Sequence, residues 1–348
     1  MDLLKQQGDR ALKRSRRALL IQPGAIGDCI LTLPLAKFLL DRLDIGAVDM
    51  LGRSDYIGYF PGRTCIDTIR AIDSVAMHRF FYPSADFHLR DRDPLVDAFA
   101  GYSFIISFLG ESGTDFEQNL IFTANCNQAV ETVLIPLKPK SDTVHISDFY
   151  ISQFLQNCPQ ISGQTASSKS ETLIKTLKSD IQIGKEMLGR KGLNAESIIA
   201  VLCPGSGGKS KCWHLSNFIA AAGKLKSASV QPVFLLGPAE MERFTPQQLN
   251  EIGRTAPVFR DLSLTEVLQV ISSADAFIGN DSGITHLAAA VGVDTTVLFG
   301  PTEPKIYQPL GPKVKVIEDK SGDFTTKPSP VVQQAVLQAL MAGFAHKK

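Results

Sequence analysis

The turn PGAIGDCILTLPL, residues 23–35, places an aspartate, Asp28, at the front of a helical pattern. Short glycine-containing turns of this kind, here with Gly24 and Gly27, usually surround a phosphate, and a carboxylate would repel that group. Asp28 therefore has two interpretations. Either it only caps the helix, or the turn faces a group that must lose a proton.

The segment AFIGNDSGITHLAAAVG, residues 276–292, ends one strand pattern and begins a helix of small residues. Free backbone N–H groups and the positive end of the dipole make a helix start a ready anion site. Asp281, Ser282, Gly283 and His286 lie at this junction. The alternative is a well-capped helix with no ligand. The position beyond the carboxyl end of a strand, where open α/β sheets bind ligands, favours a binding site.

A second junction, VLCPGSGGKSKCWHLSNF, covers residues 201–218. Its glycines, with Ser206 and Gly207 among the loop residues, leave room for a phosphate, and Lys209 and Lys211 can offset its charge. The spacing is neither that of a P-loop nor that of the GxGxxG dinucleotide fingerprint. Two such turns in one half of the chain predict a site for a diphosphate.

A third strand end, VFLLGPAEMERF, places Glu240 just beyond the sheet. An acid there can accept hydrogen bonds from ribose hydroxyls. An ordinary first-turn glutamate, favoured by the helix dipole, explains the same residue equally well.

Other patterns favour structural roles. Asp91-Arg92-Asp93 has a D-x-D form, but it directly precedes Pro94 and a helix pattern, which indicates capping. The histidines have no metal-ligand spacing, no G-x-S-x-G elbow is present, and Trp213 is expected to pack in the core.

Strand and helix patterns alternate in both halves, which predicts parallel sheets. Pro34 should kink or split the first helix. The strands of the first half are predicted at residues 18–23, 47–52, 102–110 and 132–137. Its helices are predicted at residues 28–43 and 142–158, and a further helix is predicted to begin at Pro94. The strands of the second half are predicted at 197–203, 232–237, 275–280, 295–300 and 314–318, and its helices at 179–192, 214–226, 239–253, 264–273 and 283–291.

The polar segment 156–172 is the best linker candidate. We therefore expect an α/β chain of two Rossmann-like domains, residues 1–165 and 166–348, facing a central cleft. The length of 348 residues also suits two domains.

The net charge of +1 gives no reason to expect nucleic acid as a partner. Six scattered cysteines without a CxxC pair indicate free thiols and a reducing cytosol. No signal peptide or apolar run of membrane-spanning length is visible. The basic cluster Lys13, Arg14, Arg16 and Arg17 is expected to form a solvated helix face, with contact to anionic lipid as the alternative.

Taken together, these segments resemble glycosyltransferase family 9, the ADP-heptose:lipopolysaccharide heptosyltransferases. The resemblance covers most of the chain. It is carried by PGAIGDCILTLPL, VHISDFYISQFL, PGSGGKSKCWHLSNF, GNDSGITHLAAAVG and LFGPTEPKIYQPLG. The chain departs from the family pattern at Cys212 and His214, where arginine and proline are usual, and at Ile284-Thr285.

The resemblance implies the GT-B fold and inverting sugar transfer that needs no cofactor and no bound metal. By resemblance, Asp28 is the general base, and Lys211 stabilises the diphosphate that leaves. Glu240 would hold the ribose, and Asp281 would fix its loop or bind the sugar. The implied site consists of catalytic Asp28 and Lys211 and of the donor-binding residues Gly24, Gly27, Ser206, Gly207, Lys211, Glu240, Asp281, Ser282, Gly283 and His286.

The implied partners are an ADP-sugar donor, bound by the second domain, and a lipid-linked saccharide acceptor, bound by the first. A cytoplasmic protein is expected, with peripheral contact at the inner face of the inner membrane. The last helix pattern, residues 329–344, could return to the first domain. The alternatives are another GT-B enzyme, such as a nucleotide-sugar epimerase, and a non-catalytic nucleotide-binding protein.

Overall fold

The computed structural model describes residues 16–139, 144–161, 170–194, 196–320, 322–327 and 329–344. The chain divides into two compact units, residues 1–167 and 168–348. The predicted boundary between residues 165 and 166 falls within residues 162–169, outside the described part of the chain, and it stays a prediction.

The first unit is built on a sheet of parallel strands, which are mostly short apolar runs buried by the flanking helices. The strands are β1 (Arg17–Gln22), β2 (Ala47–Gly52), β3 (Ile66–Ala71), β4 (Tyr102–Ser107) and β5 (Glu131–Leu134). Their spatial order is β3-β2-β1-β4-β5, so β1 lies at the centre. The predicted strands are present, and β3, which the sequence pattern did not predict, is added at the edge.

The helices of this unit are α1 (Ile26–Arg42), α2 (Ser54–Ile57), α3 (Pro94–Phe99), α4 (Asp115–Ala124) and α5 (Ile146–Asn157). Short 3₁₀ turns at Ile72–Ser74, Met77–Phe81 and Ser84–Asp86 complete it. Pro34 does not split α1, which is continuous through it. A proline in a helix removes one backbone hydrogen bond, and here the ring is buried in the packed interior.

Asp93 caps α3 as predicted, since its carboxylate accepts from the Leu95 N–H at 3.1 Å. Arg79 also pairs with both oxygens of this carboxylate, at 2.8 Å each. The D-x-D pattern is therefore a structural feature of the first unit.

Arg17 corrects the expectation of a solvated basic helix face, because it begins β1. Its guanidinium pairs with the buried Asp49 of β2 and with Asp67. Burial by itself would raise the pKa of Asp49, but hydrogen bonds from Arg17, Thr68 and Tyr102 lower it. This arginine neutralises a buried acid; Lys13 and Arg14 lie outside the described residues.

The second unit is built on another parallel sheet. Its strands are β6 (Ile199–Cys203), β7 (Gln231–Leu235), β8 (Val258–Phe259), β9 (Ala276–Asn280), β10 (Asp294–Phe299) and β11 (Val314–Glu318), in the order β11-β10-β9-β6-β7-β8. Its helices are α6 (Lys178–Arg190), α7 (Leu215–Ser227), α8 (Pro238–Arg243), α9 (Pro246–Thr255), α10 (Leu264–Ser272), α11 (Gly283–Ala290), α12 (Pro304–Tyr307) and α13 (Pro330–Phe344).

One predicted helix of this unit, residues 239–253, is two helices, α8 and α9. Pro246 disfavours a helical conformation at the preceding Thr245. Thr245 instead caps α9, with Oγ1 accepting from the Gln248 N–H at 3.3 Å. Trp213 is buried in the core as predicted, with its ring packed edge-on against Phe218.

Helix α13 packs on the core of the second unit. Val332, Val336 and Leu340 are buried there, and Lys315 of β11 donates to the Ala339 carbonyl at 2.7 Å. A return of this helix to the first domain stays a prediction.

Candidate active site

The strand order of the second sheet brings three loops together. Cys203, the last residue of β6, pairs with Gly279 of β9, and Asn280 of β9 pairs with Leu298 of β10. The chain segments after β6, β9 and β10 therefore leave the same edge of the sheet side by side. This edge is the carboxyl end of the strands, where open α/β sheets bind ligands.

Asn280, which the sequence analysis did not single out, ties the first two loops together. Its side chain is buried, with Nδ2 donating to the Pro204 carbonyl at 2.8 Å and Oδ1 accepting from the Trp213 N–H at 2.9 Å. Ser206 adds a second tie, since its Oγ donates to the Asp281 carbonyl at 2.7 Å. The glycine-rich loop is thus fixed against the end of β9.

Asp281 is the charged centre of the site. Its Oδ2 accepts from Lys211 Nζ at 2.7 Å and from Thr302 Oγ1 at 2.8 Å. Burial opposes ionisation of this carboxyl group, but His286 and Lys211 outweigh it and lower the pKa of Asp281 to about 2. Thr302 comes from the loop after β10 and was not predicted as a site residue. All three loops therefore converge on one ionised carboxylate.

The start of α11 lies beside this carboxylate. Ser282 is the N-cap, and its Oγ accepts from the Thr285 N–H at 3.3 Å. Thr285 in turn donates its hydroxyl to the Asn280 carbonyl at 2.6 Å, which fixes the helix to the end of β9. The first N–H groups of a helix have no partner within it, so the backbone here presents donors to an anion.

His286 is buried in the first turn of the same helix, with only 4% of its surface exposed. Its Nε2 lies 3.8 Å from Asp281 Oδ1, an ion-pair distance that is too long for a hydrogen bond. Among the described residues its Nδ1 has no hydrogen-bond partner. A buried imidazole nitrogen without a partner is uncommon and indicates a place where a ligand could supply the missing contact.

Glu240 occupies the first turn of α8, and its Oε2 accepts from the Gly237 N–H at 2.6 Å. Burial raises the pKa of this carboxyl group. The other oxygen, Oε1, lies against Gly205, where an added Cβ would be 1.3 Å away from it. One oxygen therefore makes the contact of an ordinary first-turn glutamate, and the role toward ribose stays a prediction.

In the first unit, Asp28 is the third residue of α1, and its Oδ2 accepts from the Ala25 N–H at 2.8 Å. A Cβ at Gly24 would lie 2.8 Å from the same Oδ2, so the turn approaches the carboxylate closely because position 24 is glycine. Gly27 is the second residue of the helix. Asp28 does cap the helix, and its half-buried side chain remains accessible.

Two further polar residues, Gln22 and Thr32, hold this turn. The Gln22 amide is buried at the end of β1, accepts from the Gly24 N–H at 2.9 Å and donates to Thr32 Oγ1 at 2.8 Å. Thr32 donates to the Asp28 carbonyl at 2.8 Å. A glutamine directly after the apolar run 18–21 is the sequence signal that could have identified this network.

The structure thus groups most of the predicted residues of the second unit at one edge of its sheet: Ser206, Gly207, Lys211, Asp281, Ser282, Gly283 and His286. Glu240 lies next to this group through Gly205. Gly24, Gly27 and Asp28 form a separate turn in the first unit. Within the described ranges, no three His, Cys, Asp or Glu side chains are grouped as metal ligands.

The comparison with protein families decides the class. Residues 153–330, more than half of the 348 residues, match the family described as glycosyltransferase family 9 (heptosyltransferase). The chain belongs to glycosyltransferase family 9. The family predicted from the sequence motifs is thereby confirmed, and with it the class of enzyme, a glycosyltransferase.

Among individual members of family 9, lipooligosaccharide heptosyltransferase 2 of Haemophilus influenzae is 30% identical over 152 residues. The match covers 40% of this chain and 42% of that protein, so it spans about two fifths of the relative's length.

Solved structures agree over nearly the whole chain. The glycosyltransferase of family 9 from Veillonella parvula superposes with a TM-score of 0.71 at 18% identity, covering 96% of this chain and 98% of that one. The Escherichia coli ADP-heptose lps heptosyltransferase II has a TM-score of 0.68 at 16% identity, with 95% and 99% covered. These similarities confirm the predicted GT-B fold. In the part of the chain that the structure describes, none of the helices has the length and apolar character needed to cross a membrane.

Proposed function

We propose that this chain is a heptosyltransferase that moves a heptose from ADP-heptose to a saccharide acceptor of the lipopolysaccharide-core type. Family membership and the names of the relatives support the sugar and the nucleotide. The observation that carries the proposal is the pairing of Lys211 with the buried Asp281 next to the start of α11. This arrangement puts a cation and free helix N–H groups together at a ligand-binding edge of a sheet.

In this proposal the diphosphate of the donor binds at the start of α11. The backbone N–H groups near Gly283 and the buried His286 donate to phosphate oxygens, and Lys211 supplies the positive charge. Negative charge grows on ADP as its bond to the sugar breaks, and donors that are already fixed stabilise that charge without reorganising. The proposal assigns this neutralisation to Lys211 and the helix N–H groups and requires no bound metal ion.

Glu240 accepts hydrogen bonds from the ribose hydroxyls in the same proposal. One of its oxygens already accepts from the Gly237 N–H, which holds the side chain in place. Because burial raises its pKa and penalises its charge, hydroxyl donors from a bound ribose would stabilise the ionised form.

The transfer step is a single displacement at the anomeric carbon. Asp28 takes the proton of the acceptor hydroxyl, the acceptor oxygen bonds to the anomeric carbon, and the bond from that carbon to the diphosphate oxygen breaks. ADP leaves with the electron pair, and the anomeric configuration is inverted. The hydrogen bond from Ala25 to one oxygen of Asp28 fixes the carboxylate and leaves its second oxygen for the proton.

The acceptor in this proposal is a lipid-linked saccharide bound by the first unit. Contact with a membrane surface stays a prediction.

The test is a transfer reaction with ADP-heptose and a lipopolysaccharide-core acceptor in EDTA, followed by mass spectrometry. The proposal expects the acceptor to gain one heptose for each ADP released. Epimerised sugar nucleotide without transfer would contradict it and favour an epimerase. Failure of the protein to bind any nucleotide would contradict both the heptosyltransferase and the epimerase hypotheses.

A further inference from the structure

The glycine-rich loop after β6 has its carbonyl oxygens held by side chains from two different elements. Asn280 Nδ2 donates to the carbonyls of Pro204, at 2.8 Å, and Gly205, at 3.3 Å. The next two carbonyls are held by an arginine from helix α8. Arg243 Nη1 donates to Ser206 O and Nη2 to Gly207 O, each at 2.6 Å.

These contacts determine where the loop N–H groups point. In a planar trans peptide the C=O of one residue and the N–H of the next point in opposite directions. The described residues contain no cis peptide bond. Since Arg243 draws the carbonyls of Ser206 and Gly207 to its own side, the N–H groups of Gly207 and Gly208 point to the other side. Successive N–H groups that point the same way form an anion-binding concavity.

The loop needs this restraint because glycine permits other peptide orientations. Position 207 opens to free space, with no heavy atom within 4 Å of an added Cβ. Glycine also lacks the Cβ that restricts φ and ψ in other residues, so its peptides can adopt other orientations unless contacts hold them. Rotation at Gly207 would replace an N–H by a carbonyl oxygen on the anion-binding side, and that oxygen would repel a phosphate.

Arg243 also links the two parts of the proposed donor site. It is the last residue of α8, three positions after Glu240, so the two side chains come from neighbouring turns of one short helix. A guanidinium presents its donors in a rigid planar fork and can hold two carbonyls at once. An ammonium group on a flexible stem holds such a pair less well.

We infer that Arg243 is a positioning residue that orients the glycine-rich loop so that its N–H groups face the diphosphate. The inference rests on the proposed function, because it takes a nucleoside diphosphate as the ligand of this loop. Arg243 does not touch the reacting atoms; it acts through the peptides of Ser206 to Gly208.

The test compares Arg243→Ala and Arg243→Lys with Arg254→Ala, an exposed arginine of α9 outside the site. Titration calorimetry measures the Kd of ADP and of adenosine, which lacks phosphates. We expect Arg243→Ala to weaken ADP binding by about tenfold or more, because the unrestrained loop no longer directs its N–H groups at the phosphates and loses about one hydrogen bond to a charged group. Adenosine binding should change little, whereas Tm should fall by about a few degrees because two hydrogen bonds within the protein are lost. Arg243→Lys should be intermediate, and Arg254→Ala should match wild type.

Kinetics give a second readout. The KM for ADP-heptose should rise in Arg243→Ala by a larger factor than kcat falls, because the loop binds donor in the ground state as well as in the transition state. If Arg243→Ala does not fold, the comparison of ADP with adenosine is made on Arg243→Lys, where a loss restricted to ADP supports the inference.

The results that would contradict the role of Arg243 differ from the result that would contradict the proposed function. Equal losses of ADP and adenosine affinity, or ADP affinity within twofold of wild type, would contradict the role of Arg243 while the proposed function stands. Wild-type protein that binds adenosine but gains nothing from the diphosphate would contradict the proposed function itself.

Discussion

Lys211 Nζ lies 2.7 Å from Asp281 Oδ2, and this contact joins the loop after β6 to the loop after β9. The carboxylate is buried, whereas 34% of the lysine side chain remains exposed. An ammonium has three hydrogens and uses one in this contact, so it can donate to a ligand without leaving Asp281. The pair thus holds a cation in a fixed position at the sheet edge.

Lys211→Ala should weaken both ADP binding and turnover. The variant would remove the charge-assisted hydrogen bond to phosphate that the proposal assigns to Lys211, which corresponds to a rise in the Kd of ADP of about tenfold or more. Calorimetric titration measures the Kd, and Lys224→Ala, an exposed lysine of α7, is the matched control. Unchanged binding and kinetics in Lys211→Ala would remove this residue from the site.

The depressed pKa of Asp281 predicts a pH-dependent stability. The folded-state pKa is about 2, whereas an unfolded aspartate has a pKa of about 3.9. Ionised Asp281 therefore adds to the free energy of unfolding above pH ~4, by an amount on the order of 2 kcal/mol. This stabilisation is lost as the pH falls toward ~2. Urea unfolding of wild type and Asp281→Asn measures it. The difference in unfolding free energy should shrink as the pH is lowered from ~6 to ~3; a pH-independent difference would contradict it.

Asp28 can be tested with two substitutions that separate capping from proton transfer. Asparagine keeps an oxygen that can accept from the Ala25 N–H but cannot take a proton, whereas alanine loses both abilities. We expect a loss of turnover of about a hundredfold or more in both variants. Only Asp28→Ala should also lose about 1 kcal/mol of stability.

Turnover and chemical denaturation are measured on the same preparations of the two Asp28 variants. The Kd of ADP serves as the control and should stay at the wild-type value, because the proposal places Asp28 on the acceptor side. Near-normal turnover in Asp28→Asn would show that the residue only caps its helix.

Gly205→Ala should disturb Glu240. The added Cβ would lie 1.3 Å from Glu240 Oε1, so the carboxylate must move out of place. We expect a loss of about 1–3 kcal/mol of stability and weaker binding of adenosine. The control is Gly223→Ala inside α7, where no atom lies within 4 Å of the added Cβ. That variant should be stabilised by up to about 1 kcal/mol. Equal unfolding free energies for the two variants would contradict the proposed packing.

The site residues found from the sequence were those in strand-end loops with glycine, serine or lysine, because such loops are where α/β sheets bind anions. Asn280 and Thr302 were missed for a physical reason. Asn280 is the last residue of an apolar strand, and only the adjacency of β9 and β6 brings it to Pro204. Thr302 follows β10, and only the adjacency of β10 and β9 brings it to Asp281. Strand order is a tertiary property that no local pattern encodes.

The elements of the fold likewise divide into those that a local sequence pattern marks and those that it does not. Strands buried on both faces were predicted, since continuous apolar runs mark them, whereas β3 carries exposed polar residues and was missed. Helix α4 was also missed because Ile121 and Phe122 are exposed and break the amphipathic pattern. Its start has a usable signal, Thr114 followed three residues later by Glu117, a spacing typical of a capping box.

The most direct test of the central claim, that the loops of the second unit bind the ADP part of a sugar donor, is calorimetric titration of the wild-type protein. ADP, UDP, GDP and NAD are compared in the presence of EDTA. We predict that ADP binds at least about tenfold more tightly than the other three nucleotides and that EDTA does not weaken this binding. At a hundred times its Kd, ADP should also stabilise the fold by roughly 2.7 kcal/mol. Tighter binding of UDP or NAD, or ADP binding abolished by EDTA, would contradict it.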